Sequence, residues 1–213
     1  MQKWSELSRP QSLSDIVGQP CLRVLREFLK QPYSSSWLFQ GPAPGIGKTS
    51  AALALAHDLG CGEDESGGLH IVNAADLVID KARELFALLR LNPMFGSGWK
   101  VLVIEELETL SDKTQGFLRT ALETGMPRKT VVIATTNGAG KLGAALLQRF
   151  TLLCFDGGKT LEAGSLPKLQ EVWRQEFGEQ EIPASLGELG WQSGTYSLRL
   201  ALDRLQVKKM VGS

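Results

Sequence analysis

The chain has 213 residues and carries 23 Lys plus Arg against 23 Asp plus Glu, so no global field marks it as a nucleic-acid or membrane-surface binder, although a local basic face stays open. A hydrophobic content of 43% with 22% charged residues suits one sizeable core, or a main domain with a small appendage. Cys21, Cys61 and Cys154 lie far apart with no C-x-x-C pair, which argues against a zinc cluster or a disulfide framework and predicts thiols in a reducing compartment. No run approaches the roughly 18 apolar residues of a membrane span, and MQKWSELSRP lacks a signal-peptide core, so the expected setting is cytoplasmic with no membrane partner.

In chain order, strand-like and helix-like segments alternate, the pattern of a parallel sheet covered on both faces. Strands are predicted at 37–40, 69–74, 100–106, 130–136 and 151–156. KVLVIEE and TVVIATT are continuous apolar runs rich in Val and Ile, as buried parallel strands require. Helices are predicted at 48–60, 79–91 and 111–123, the last capped by Ser111 or Asp112. The polar stretch DGGKTLEAGS (156–165) reads as a connection, and beyond it only helical patterns follow, at 166–178, within 184–192 and at 197–209. The expected organisation is an α/β base over residues 1–156 and a small helical lid over 157–213.

Residues 41–50, GPAPGIGKTS, sit between the first strand and the first crossover helix, the context of a phosphate-binding loop. The backbone of Pro44, Gly45, Ile46, Gly47, Lys48, Thr49 and Ser50 would wrap the phosphates at the positive end of the helix, with Lys48 reaching the β- and γ-phosphates and the Thr49 hydroxyl ligating Mg²⁺. The leading glycine of the motif falls on Pro42, with Gly41 one place early. In VLVIEELE a buried strand ends in two carboxylates: Glu105 is expected to hold Mg²⁺ and Glu106 to act as general base. Taken alone, that segment is equally a buried strand followed by a solvated acidic turn. Asn137, at the tip of ATTN, is placed to orient the lytic water or sense the γ-phosphate; alone, Asn137-Gly138 is turn chemistry.

With those residues in place, the sequence resembles the clamp-loader branch of the AAA+ ATPases, most closely the small subunits of replication factor C and their phage counterparts. The match runs from Trp4 to Gln206. Trp4-Ser5-Glu6-Leu7-Ser8-Arg9-Pro10, followed by Leu13-Ser14-Asp15-Ile16-Val17-Gly18-Gln19, is similar to the family's W-x-E-K-Y-R-P…L-D-D-V-V-G-Q box, with Leu7 and Ser8 as departures. Asn73-Ala74-Ala75-Asp76 looks like the family's N-A-S-D, and the 111–123 helix resembles the one that follows its acidic strand.

The resemblance implies an AAA+ P-loop NTPase base with a five-stranded parallel sheet and a helical lid. It implies ATP and Mg²⁺ as ligands, and it gives Arg9, Pro10, Val17 and Gly18 an adenine-site role. Arg149, in Leu146-Leu147-Gln148-Arg149-Phe150, takes the place of the arginine that reaches a neighbouring subunit's nucleotide, and Arg199 that of the lid arginine that senses the γ-phosphate. Implied partners are other clamp-loader subunits, a sliding clamp and primer-template DNA, with Lys81 and Arg83 as candidate DNA contacts. The family's helical collar domain has no counterpart between residue 157 and Ser213, which makes the chain either a truncated piece or a minimal relative assembling through its AAA+ faces. Two alternatives remain: a structural AAA+ subunit that binds nucleotide without hydrolysing it, motivated by Pro42 and by Glu105 in place of Asp, and an AAA+ helicase loader or recombination-associated remodeller.

Overall fold

A computed structural model describes residues 3–178 and 181–211; the outermost residues of the two expected units, 1–2 and 212–213, lie outside them. The elements run α1 (Trp4–Leu7), α2 (Leu22–Lys30), β1 (Ser35–Gln40), α3 (Lys48–Asp58), β2 (Leu69–Asn73), α4 (Ile79–Leu88), β3 (Lys100–Glu105) and α5 (Asp112–Thr124), followed by β4 (Thr130–Thr136), α6 (Ala144–Leu147) and β5 (Thr151–Cys154). Then come α7 (Lys159–Phe177), a 3-10 segment (Ala184–Gly190), β6 (Trp191–Gln192), β7 (Thr195–Tyr196) and α8 (Leu198–Val211).

The first five strands form one parallel sheet in the order β2-β3-β4-β1-β5, the α/β P-loop architecture expected from the sequence. Alternate side chains of the buried strands feed two cores. Val101, Val103, Val131, Ile133, Trp37 and Phe39 pack against α2 and α3 on one face. Leu102, Ile104, Val132, Ala134 and Leu38 pack against α4, α5 and α6 on the other. Burial on both faces is why β3 and β4 read as unbroken apolar runs.

Three differences from the sequence reading have physical causes. Helix α2, which the reading leaves unassigned, buries Leu22, Leu25 and Phe28 at a spacing of three. Helix α7 begins at Lys159, so most of the stretch read as a polar connection is helical, with Pro167 inside the helix. Its glycine is a contact residue: a Cβ on Gly164 would stand 2.5 Å from Gly18 Cα, and a Cβ on Gly18 would stand 2.7 Å from Leu161 Cα. A chain crossing this close needs glycine on both sides, and the packing overrides the weak local propensity. The pattern beyond residue 157 is also not wholly helical, because β6 and β7 pair as a two-residue hairpin turning through Ser193 (φ 50°) and Gly194 (φ 78°).

A third core gathers Leu169, Val172 and Trp173 of α7, Leu186, and Ala201, Leu202 and Leu205 of α8. Trp4, from the other end of the chain, is part of it, and its backbone N–H donates to Gln206 Oε1 at 3.1 Å. Tyr196 and Leu161, by contrast, pack into the first core beneath α3. The strand-exit, linker and N-terminal segments therefore meet around one cleft.

Candidate functional site

The loop after β1 is shaped by its glycines. Gly41 donates its amide to the Thr136 carbonyl at 3.2 Å, and a Cβ there would lie 2.3 Å from Ile46 Cδ1 and 3.2 Å from Phe155 Cβ. Gly41 thus makes the tight exit from the strand, and Pro42 lies exposed beyond it. Gly45 (φ 77°) and Gly47 (φ 105°) adopt left-handed backbone. Nothing lies within 4 Å of where a Gly47 Cβ would stand, so the loop presents open backbone at the N-terminus of α3. Gln19, only 6% exposed, braces this loop from the N-terminal segment: its amide donates to the carbonyls of Ile46 (2.9 Å) and Asp156 (2.8 Å) and accepts from the Asp156 amide (2.8 Å).

Lys48 is 7% exposed and donates to the Ala43 carbonyl at 2.7 Å and to Asn137 Oδ1 at 2.8 Å. Both acceptors are neutral, so the ammonium keeps its charge and one donor unassigned. Burial pulls its pKa down to about 8, the nearby Glu108 charge pushing up and Arg199 pushing down. Thr49 Oγ1 donates to Glu105 Oε1 at 2.9 Å, which brings two hard oxygen donors together beside the loop, the donor chemistry that suits Mg²⁺.

Glu106 sits at the end of β3 in left-handed conformation (φ 55°, ψ 49°), strained for a non-glycine residue. Its Oε2 accepts from Asn73 Nδ2 at 3.2 Å, across the β2–β3 register that sets Asn73 opposite Glu105. Asn137 is tied in turn to Glu108, whose Oε1 accepts the Asn137 amide at 3.1 Å. Burial pushes the Glu108 carboxyl up, but hydrogen bonds from its own backbone, Thr136 and Asn137, together with the Lys48 charge, leave it below its ordinary value.

Lys48, Thr49, Asn73, Glu105, Glu106 and Asn137 line a cleft of about 390 Å³ at the carboxyl ends of the strands, the position where open α/β sheets bind ligands. Of the residues singled out in the sequence, Arg9, Pro10, Val17, Pro44 to Ser50, Glu105, Glu106, Asn137 and Arg199 all line it. Arg199 is exposed and makes no hydrogen bond or ion pair among the described residues. Gly18 and Arg149 lie elsewhere. Gly18 packs on α7 as described, and Arg149 Nη2 pairs with Glu123 Oε1 at 2.9 Å on the outer surface. Arg83 pairs with Asp80 at 3.0 Å, both exposed.

Asn73, Glu108, Gln19 and Ser197 are site residues that sequence reasoning did not single out. Ser197 follows the β6–β7 hairpin and donates to the Gly45 carbonyl at 3.2 Å, fastening α8 to the loop. Only Glu108 carried a local signal, as the third carboxylate of EELE.

Residues 37–155, most of this phosphate-loop unit, match the family described as the ATPase family associated with various cellular activities. The chain belongs to the AAA ATPase family. It is 35% identical to a replication factor C small subunit of Methanothermobacter thermautotrophicus, over 98% of this chain and 71% of the relative. A replication factor C small subunit of Thermofilum pendens is 32% identical over 98% of this chain and 63% of its own length, so the chain spans under two thirds of that relative. Replication factor C subunit 3 of Saccharomyces cerevisiae is 33% identical over 71% of this chain and 45% of its own. Among solved structures, the Holliday junction branch migration motor RuvB of Thermotoga maritima shares the fold at a TM-score of 0.66 and 21% identity, over 96% of this chain and 67% of that one. A DNA polymerase III gamma subunit-related protein of the same organism shares it at 0.60 and 14%, over 87% and 70%. Among the described residues no helix is long and apolar enough to cross a membrane.

Proposed function

We propose that this chain is an ATP-hydrolysing subunit of a clamp-loader-type assembly, with residues 1–156 as its nucleotide-binding base and 157–213 as its lid. The observation that carries the reading is the Thr49–Glu105 hydrogen bond at 2.9 Å beside a buried Lys48 whose two hydrogen-bond acceptors are neutral, at the foot of an open glycine loop. The similarity to replication factor C small subunits over nearly the whole chain supports the assembly it serves.

In this reading the amides of Gly45 to Thr49 bind the phosphates and Lys48 turns its remaining donor toward the β- and γ-phosphates. Mg²⁺, when bound through Thr49 and Glu105, supplies charge neutralisation to the phosphates. Glu106 accepts the proton of the attacking water, Asn137 orients that water, and Asn73 holds the Glu106 carboxylate until then. The surface position of Arg149, outside its own cleft, suits service to a neighbouring subunit's phosphates, and Arg199 reads the γ-phosphate from α8. Arg9, Pro10 and Val17 flank the base, whereas Gly18 supports that wall by letting α7 approach. Other subunits, a sliding clamp and primer-template DNA complete the assembly, and turnover releases them.

Glu106→Gln is expected to lower ATP turnover at least 100-fold with nucleotide binding retained, measured with clamp, partner subunits and primed DNA present. Undiminished turnover sinks the base assignment, and turnover in the assembled complex unmoved by Arg149→Ala sinks the trans role. Wild-type protein that binds ATP but never turns it over in that complex marks a bracing subunit instead. Failure to co-purify with the sliding clamp in any nucleotide state points to a loader or remodeller of other cargo.

A further inference from the structure

At the opposite end of the sheet from the nucleotide cleft, a second cavity of about 210 Å³ opens where β2 and β3 begin. His70 pairs with Leu102 in the β2–β3 register, so His70 and Lys100, two residues before Leu102, project from the same face. Both line the cavity and both are buried, at 6% and 4% exposed. His70 Nδ1 has no hydrogen-bond partner, and the Lys100 ammonium makes no hydrogen bond or ion pair among the described residues. The nearest acid is Glu65 at the rim, whose Oε1 stands 4.0 Å from His70 Nδ1 on a side chain that is 72% exposed. Leu88, Leu91, Pro93 and Met94 form apolar walls.

The Lys100 stem is buried while its ammonium, which has no counter-ion among the described residues, sits at the cavity mouth, and the buried imidazole beside it keeps an open nitrogen, so one anion entering the cavity can meet both. Desolvation lowers the pKa of each, and the Lys129 charge lowers Lys100 further. The geometry points to a binding site for a monocarboxylate with a short apolar tail: its oxygens accept from Lys100 and His70, and its hydrocarbon lies on Leu88, Leu91 and Met94. Glu65 at the rim disfavours a second negative charge, and the volume holds a carboxylate with a few carbons but not a nucleotide. A free aliphatic or aromatic acid and the C-terminal carboxylate of a peptide ending in an apolar residue both offer this chemistry.

The test is proton NMR of the intact chain, whose two histidines, His57 and His70, are assigned with a His57→Gln variant. Millimolar benzoate, or a tripeptide ending in leucine, is expected to move the His70 signal saturably and leave His57 in place. A response to the tripeptide acid stronger than to benzoate, and lost in its amide, identifies a chain terminus as the source; the reverse order identifies a free acid. Lys100→Met, which keeps the aliphatic stem, is expected to weaken binding at least tenfold, because it removes the cation that meets the carboxylate. Equal binding by Lys100→Met, or no saturable His70 shift with either probe, overturns the proposal. Should that variant fail to fold, the same criterion applies to His70→Phe, read as loss of the benzoate-induced rise in melting temperature.

Discussion

Lys48 carries the strongest electrostatic tension in the nucleotide cleft, and its sign can be worked through. Burial holds it near 8 in the folded chain, against an ordinary value of 10.5. Between those limits the unfolded chain keeps a proton that the folded chain has released, so stability without nucleotide rises with pH across that window. On the role proposed for Lys48, nucleotide affinity is expected to move the other way, because the phosphates would meet a neutral amine once pH climbs past about 8. Denaturation and nucleotide titrations from pH 7 to 10 are expected to show both slopes, and Lys48→Met to flatten both. At Gly45 the demand is steric: with φ at 77° and a would-be Cβ 2.3 Å from Ser197 Oγ, Gly45→Ala is expected to weaken nucleotide binding at least tenfold by pushing the loop off α8. The loop residues were legible in the sequence because the seven that line the cleft, 44–50, are consecutive. Asn73 and Gln19 were not, because nothing along the chain says that β2 lies beside β3, or that residue 19 reaches residues 46 and 156.

Among the elements, the strands buried on both faces were the most readable, and β4 has the limits that the sequence predicts. Helix α7 was misread at its start because Gly157, Gly158 and Gly164 look like a flexible connection until the backbone they meet is known. Gly18 and Gly164 form a contact in which neither side has room for a methyl group. Gly18→Ala combines a left-handed φ of 65° with a backbone clash at Leu161 and is expected to cost about 2 kcal/mol or more. A lowered denaturation midpoint with an unchanged slope checks it. An alanine at Gly116, whose Cβ would meet nothing within 4 Å, is expected to be neutral or stabilising by a few tenths of a kcal/mol in the middle of α5.

At the scale of the molecule, three cores are tied together by segments that look peripheral in the sequence. The resemblance at Trp4 to Pro10 pointed to the adenine wall, but no periodicity could show that Trp4 packs among α7 and α8. Trp4→Ala removes that anchor and is expected to lose about 3 kcal/mol, to expose the 3–10 segment to proteases, and to weaken nucleotide binding as Arg9 and Pro10 leave the cleft. The Trp4 amide and the Gln206 side chain that accepts from it are 202 residues apart in the chain. Vectorial synthesis therefore delivers the phosphate loop long before the contact that shuts the cleft around it. A nascent chain halted before Leu198 carries Lys48, Thr49 and Glu105 but lacks the wall that Arg199 and Leu202 provide, and the core that holds Trp4 lacks its α8 side. The cleft therefore gains its α8 wall only once residues 198–211 have left the ribosome.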